Sequence, residues 1–249
     1  MDVPRIIANA RLAPSVFSKA PARSFLGVLT LDTRFPRLPG DIGNPASFGV
    51  PALTRTVRDA KPRHAVQSAA GQRAADLFDP FCRAMLELES LGAGAITTSC
   101  GFLVLMQEQL QSMSSVPVMT SSLLMLPGLL ERHARVGVLT ISAQHLGPEY
   151  LQAAGVPASR MGDVVIEGVA PQGEFARAML ENRPHFDFDR ACRDVVDAAR
   201  RLHSRDTSIT DVVLECTNMP PYEVEIERAA QMRCWSLLQS EVLLAPLRR

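Results

Sequence analysis

An excess of charge of either sign is missing from this sequence. Its 249 residues carry 26 basic and 26 acidic side chains, so nothing builds the basic field that nucleic acid or an anionic membrane surface requires. Lysine occurs only at positions 19 and 61, and arginine supplies the rest of the positive charge. No apolar run approaches the ~18 residues of a membrane-spanning helix. Residues 1–24 also lack the continuous apolar stretch of a secretory signal, and read as a loose arm. Five cysteines, at 82, 100, 192, 216 and 234, include no CxxC pair and are odd in number. They read as reduced thiols in the cytoplasm rather than as a disulfide framework. The histidines at 64, 133, 145, 185 and 203 show no ligand spacing, which argues against a metal site. There is no GxSxG elbow for a serine hydrolase, and no glycine spacing suited to cradling a phosphate.

What is present is a globular composition, 47% hydrophobic and 21% charged, with enough chain for one large domain or two small ones. From Ser24 onward, strand-length apolar runs alternate with helix-length amphipathic segments. FLGVLTL (25–31) reads as a buried strand, residues 32–51 as a long loop, and HAVQSA (64–69) as a weaker strand. LFDPFCRAMLELESLG is helical in period, GAITTSC is the next strand, and GFLVLMQEQLQSM the helix after it. VPVMT and SSLLMLPGLLERH give a further strand and helix. A second series runs from RVGVLTIS (135–142) through a helix near 146–154, DVVIEG (163–168), GEFARAML and the helix at 188–204. It continues with DVVLECT (211–217) and ends in PYEVEIERAAQMRCW, read as one long helix. This alternation implies parallel strands in a layered α/β architecture, with ligands collecting beyond the carboxyl ends of the strands.

The two series read as copies of one unit. GVLTLDT begins at Gly27 and GVLTISA at Gly137, 110 residues apart. Each copy later offers an apolar run that ends in cysteine and turns into a helix, ITTSCGF and VLECTNM, with the cysteines 116 residues apart. A lone cysteine at a strand end is usually a core residue; a repeated one is a candidate pair. Two such units facing across a cleft would set Cys100 and Cys216 on opposite walls, each at a helix start whose free N–H groups favour a thiolate. A thiolate on one face and a thiol on the other form a two-base arrangement. One removes a proton from a carbon beside a carboxylate and the other returns a proton to the opposite face, with no cofactor.

These half-sites, the Asp32 that follows the first strand and the CTN step after the second cysteine resemble the aspartate/glutamate racemase superfamily, which includes hydantoin racemases, maleate isomerases and arylmalonate decarboxylases. The resemblance runs over most of the chain from about Phe25 and is most specific in TTSCGF and LECTNM. It implies two flavodoxin-like, Rossmann-like three-layer lobes with mostly parallel sheets, related by a pseudo-twofold axis, with the active site between them. Lobe 1 would comprise 25–133 and 222–249, lobe 2 134–221. The resemblance further implies a cofactor-independent reaction by Cys100 and Cys216, with Asp32 assisting the nearby thiol and Thr217 binding the substrate carboxylate. Three departures stand out. Asn218 occupies the place of a histidine or glutamate, Gly101-Phe102 replace the usual Asn-Thr, and Glu215 replaces a glycine.

In the loop at 32–51, Arg34 or Arg37 could meet a carboxylate, with Asn44 near the substrate; an ordinary surface connection is the alternative. A loop of roughly 20 residues exceeds most connections, which favours a functional role. Thr120, followed by Ser121 and Ser122, could line the cleft, although helix capping explains them equally well. Ser142, at the end of the second GVLT strand, is a further candidate for substrate contact, with His145 near it. Cys82, Cys192 and Cys234 read as inert thiols inside helices. The expected activity is racemization of an amino acid or related small carboxylate by a cytoplasmic enzyme, with a homodimer suggested by the resemblance. The alternatives are another isomerase or decarboxylase reaction in the same site, or a non-catalytic sensor of small acids.

Overall fold

The computed structural model describes residues 25–67 and 70–248, apart from the side chains of 70–75. The arm expected over 1–24 lies outside the described residues. In the first lobe, strands β1 (Phe25–Leu31), β2 (Ala52–Val57), β3 (Ala93–Thr98) and β4 (Val118–Met119) are joined through helices α1 (Pro62–Gln67), α2 (Ala70–Ser90) and α3 (Gln107–Met113). Helix α4 (Leu126–Leu130) leads into the second lobe, which holds β5 (Val136–Thr140), α5 (Pro148–Ala153), β6 (Val164–Gly168) and α6 (Glu174–Leu180). It continues with α7 (Phe188–Arg205), β7 (Asp211–Leu214), α8 (Glu223–Ala230) and β8 (Arg233–Trp235), and α9 (Glu241–Leu244) lies near the end of the chain.

Two four-stranded sheets result, in the orders β2-β1-β3-β4 and β6-β5-β7-β8, and all their pairings are parallel. Each lobe therefore repeats one topology, as the doubled GVLT motif implies. The repeated glycine has the same physical role in both copies. A methyl group on Gly27 would stand 2.5 Å from Ile96 and 3.0 Å from Leu88 of α2. One on Gly137 would stand 2.7 Å from Leu202 of α7. In each lobe a leucine of the long helix, Leu88 or Leu202, packs directly against this glycine.

The central strands β1, β3, β5 and β7 are buried nearly throughout, as strands covered on both faces must be. One hydrophobic cluster runs through both lobes, joining Leu29 and Ile96 to Leu139 and Val213. A second cluster covers the other face of the first sheet, where Leu26 and Val28 meet Ile42 and Phe48 of the long loop and Leu243 and Leu244 of α9. Among the described residues, no helix is long and apolar enough to cross a membrane.

Three sequence readings change. HAVQSA is not a strand: its first four residues complete the short helix α1. The second strand is instead Ala52–Val57, an edge strand whose Thr and Arg side chains face outward and hide its apolar pattern. The expected final long helix stops at Ala230, where Gln231 takes a left-handed conformation (φ 56°), and Arg233–Trp235 then joins the second sheet beside β7. The chain thus stays with lobe 2 beyond Tyr222, and the return to lobe 1 is made by the segment around α9.

Beside β8, Asp211 accepts the indole N–H of Trp235 at 2.7 Å and the hydroxyl of Thr210 at 2.7 Å, and lies 3.4 Å from His133. Burial alone would raise the Asp211 pKa, but these donors and the neighbouring His133 and Arg233 hold it below the ordinary carboxylate value. A depressed carboxylate adds stability above its unfolded pKa and loses it as pH falls through the folded value. Asp211→Ala should therefore cost about 1–3 kcal/mol at neutral pH. Denaturant unfolding should show that penalty shrinking as the pH is lowered below ~4.

Candidate active site

Both half-sites form where a buried strand ends and a helical turn begins. After β3 the chain bends at Ser99, Cys100 is extended, and a 3-10 turn over Gly101–Met106 leads into α3. The Thr98 hydroxyl fixes this step by donating to the Thr120 carbonyl at 2.7 Å. After β7, the Glu215 N–H still donates to the Leu139 carbonyl at 2.9 Å, and the chain then turns through Cys216 to Met219. Pro220 and Pro221 open the next 3-10 turn, where their missing N–H groups cost nothing. The Thr217 hydroxyl donates to the Ser99 carbonyl at 2.6 Å, so the two strand ends are tied directly to each other.

The long loop after β1 closes over this junction. The Ile42 N–H donates to the Thr217 carbonyl at 3.1 Å, and the Asn218 amide donates to Asp41 Oδ2 at 2.6 Å. Asp41 is only 3% exposed, and its other oxygen accepts from Arg37 at 3.0 Å and from the Gly43 N–H at 2.6 Å. Arg37 also donates to Thr33 and to Ser99, and lies 4.7 Å above the centre of the Phe35 ring. The loop is thus a charge-paired clasp from lobe 1 onto the second half-site.

A small cavity lies beneath the clasp, with Cys100, Cys216, Glu215, Arg37, Phe35 and Phe102 in its wall. Pro62 and Val66 of α1 and Met179 and Leu180 of α6 contribute apolar wall on the other side. Both thiols are 6% exposed. Burial pushes the Cys216 thiol well above its ordinary pKa; the Glu215 carboxylate raises it further, while the Asn218 backbone N–H acts in the opposite direction. These surroundings hold Cys216 as a thiol. Glu215 is fully buried behind this wall: its Oε2 accepts from the Thr140 hydroxyl at 2.6 Å, and it packs against Gly101.

The sequence candidates fall into two groups. Cys100, Gly101, Phe102, Cys216, Thr217 and Asn218 share the wall of this cavity. Asp32 stands outside it, partly exposed at the end of β1, paired with Lys61 and accepting the Asp59 N–H at 3.3 Å. Asn44 shapes the loop: it caps the turn at 45–48 by accepting the Ala46 N–H, and donates to the Arg37 carbonyl at 3.0 Å. Thr120 is buried against Gln107. Ser122 donates across the lobes to the Leu214 carbonyl. Ser142 bonds His145 at 2.8 Å in a neighbouring hollow that shares Ile141 and Leu180 with the cavity. Sequence reasoning passed over Ser99 and Asp41. The DIGN turn around Asp41 carries a local signal for a loop but none for the asparagine it meets 177 residues later.

No protein-family model matches the chain. Among curated proteins it is 28% identical over 225 residues to a dimethylsulfoniopropionate lyase of Durusdinium sp. clade D, covering 86% of this chain and 72% of that protein. It is 25% identical over 225 residues to dimethylsulfoniopropionate lyase 7 of Emiliania huxleyi, covering 86% and 64%. The chain thus spans less than two thirds of the length of some of these relatives. Among solved structures, an arylmalonate decarboxylase point mutant in a sulfate-associated form aligns with TM-score 0.56 and 14% identity, over 84% of this chain and 86% of that one. Allantoin racemase from Pseudomonas fluorescens aligns with TM-score 0.55 and 15% identity, over 88% of each chain. Glutamate racemase from Francisella tularensis gives TM-score 0.54 and 14% identity, over 90% and 78%. The chain has the two-lobed fold of the aspartate/glutamate racemase superfamily.

A thiol with a raised pKa reacts with electrophiles only as its small thiolate fraction grows. Alkylation of Cys216 by iodoacetamide in the unliganded protein should thus be slow at pH 8 and still rising above pH 9. A rate already level at pH 8 would contradict the environment described for it.

Proposed function

We propose that this chain is a cofactor-independent enzyme that removes a proton from the carbon next to a small carboxylate, with Cys100 and Cys216 as its acid–base groups. The observation that carries this reading is the convergence of both thiols, one from each lobe, on a single cavity whose wall also holds Arg37. The guanidinium fits a carboxylate, and its partial neutralisation by Asp41 leaves donors for a second anion. Water is largely excluded, which strengthens charge interactions as negative charge develops on the substrate.

The names of the sequence relatives point to the reaction. In dimethylsulfoniopropionate a dimethylsulfonio group stands on the carbon β to the carboxylate, and a lyase cleaves the bond between them. A cysteine thiolate takes the α proton, the C–H electron pair becomes the new carbon–carbon double bond, and the carbon–sulfur pair leaves on sulfur. The products are acrylate and neutral dimethyl sulfide, and the proton stays on the enzyme until solvent removes it. This elimination needs one base and no acid for the leaving group. Cys216, with the Asn218 N–H beside its sulfur, is suited to be that base, because an incoming cation offsets the surroundings that keep it protonated. A reducing compartment such as the cytoplasm would keep the facing thiols from oxidation.

Racemization is the second reading, favoured by the placement of one thiol on each lobe, since inversion requires an acid and a base on opposite faces. The two are separated by assaying dimethyl sulfide release from dimethylsulfoniopropionate, alongside deuterium uptake by acidic amino acids, hydantoins, malonates and maleate in deuterium oxide. A lyase releases dimethyl sulfide, and Cys216→Ser lowers kcat by about 10²–10⁴-fold. A racemase instead exchanges and inverts its substrate and loses both activities in either single mutant, Cys100→Ser or Cys216→Ser. Full turnover in both mutants would refute the cysteine assignment.

A further inference from the structure

Asn218 stands two residues beyond the proposed base and offers it two groups. Its side-chain Oδ1 lies 3.8 Å from the Cys216 sulfur, a long contact of the kind a weak thiol donor makes. Its backbone N–H faces the same sulfur and favours the thiolate. The thiol thus has an acceptor and the thiolate a donor, both on one residue. An acid–base cysteine passes through both forms in each turnover.

Which end of the amide meets the sulfur is decided by chemistry, because its oxygen and nitrogen have nearly the same shape. Asp41 makes the choice. One oxygen of its carboxylate pairs with Arg37 at 3.0 Å and accepts the Gly43 N–H at 2.6 Å. The other oxygen lies 2.6 Å from Asn218 Nδ2. A carboxylate only accepts, so the group it meets must be the NH2, and the amide oxygen is left to the sulfur. With the amide reversed, two oxygens would face each other at Asp41. That carboxylate is almost wholly buried, so solvent does little to relieve the mismatch.

An amide neither takes up nor releases a proton near neutral pH, so Asn218 can direct the thiol proton but not receive it. The other charged or titratable groups about this sulfur are Glu215 at the end of its own strand, Cys100 from the first lobe, Arg37 and Asp41 from the loop, and Tyr222 from the turn that follows. Asp41 differs from the rest in acting through a second residue as well as through its charge. We propose that Asp41 is the positioning residue of this site: it locks the Asn218 amide with its oxygen on the Cys216 sulfur and thereby sets where the resting thiol's proton points. This inference rests on reading Cys216 as an acid–base group of the cavity.

The S–H stretching band of Cys216 reports the contact directly, and subtracting the infrared spectrum of Cys216→Ser isolates it from the other thiols. In the native protein the band should lie at the lowered frequency of a hydrogen-bonded thiol. Asn218→Leu keeps the shape and removes the oxygen, and should return the band to the frequency of an unbonded thiol. Asp41→Asn should do the same by another route. Arg37 and Gly43 retain the one oxygen of the new amide, so its NH2 faces Asn218 and turns that amide round. An unbonded band in the native protein, or one that Asp41→Asn leaves in place, would overturn the proposal. If Asp41→Asn does not fold, Asn218→Leu carries the test, and a band it fails to move has the same consequence.

Asp41→Asn should also speed iodoacetamide alkylation of Cys216 at pH 8, on the order of tenfold. Part of that gain comes from the lost negative charge. The substitution is therefore repeated in Asn218→Leu, where only the charge effect remains and the gain should be smaller. An equal gain in both backgrounds means that Asp41 acts by charge alone, against the proposal. The two readings fail separately. Turnover by a protein whose Cys216 thiol is unbonded sinks the role of Asp41 alone. A hydrogen-bonded thiol that responds to Asp41→Asn, in a protein that turns over none of the compounds named above, sinks the reaction alone.

Discussion

The hydrogen bond from the Thr217 hydroxyl to the Ser99 carbonyl holds together what the rest of the site requires. It joins the ends of two central strands, one from each lobe, immediately beside the two cysteines. A buried hydroxyl and carbonyl of this kind are expensive to leave unpaired, so the lobes have little freedom to separate at this point. Ser122, donating to the Leu214 carbonyl, adds a second crossing of the same kind, and the continuous apolar cluster beneath carries the bulk of the association. Between the two strand ends the lobes leave only a small cavity.

Closure shapes the chemistry. A thiol deprived of water resists ionisation, and a neighbouring carboxylate increases that resistance. Such a site disfavours a resting thiolate, which is why the proposed reaction calls on a cationic substrate to offset that cost. The clasp from the first lobe serves the same end. Asp41 pairs with Arg37 and fixes Asn218, so this guanidinium at the cavity wall is held in place with its charge offset.

Much of this was legible in the residues, and the parts that were not share a cause. The doubled GVLT and the doubled cysteine were visible because buried strands and helix starts write local, periodic signals. The edge strands β2 and β8 were missed because an exposed edge need not be apolar, and three or six residues give too short a pattern. Asn44 and Asp32 are polar residues beside strand ends, like true cavity residues, yet one folds its own loop and the other pairs with Lys61 at the surface. Nothing within a few residues of either distinguishes them from Thr217.

The sequence by itself determined a two-copy parallel α/β fold and placed Cys100 and Cys216 at equivalent strand ends, because both properties follow from hydrophobic period and chain order. Only the tertiary structure decided what surrounds the thiols. Glu215 is buried beside the thiols because Gly101, more than a hundred residues away, leaves it room and Thr140 gives it a donor. Asp41 becomes part of the site because Asn218 meets it across the lobes. Beyond the last residue of a strand, alternation no longer governs where a side chain points. Contacts between distant segments do, and they exist only once both lobes have folded against each other.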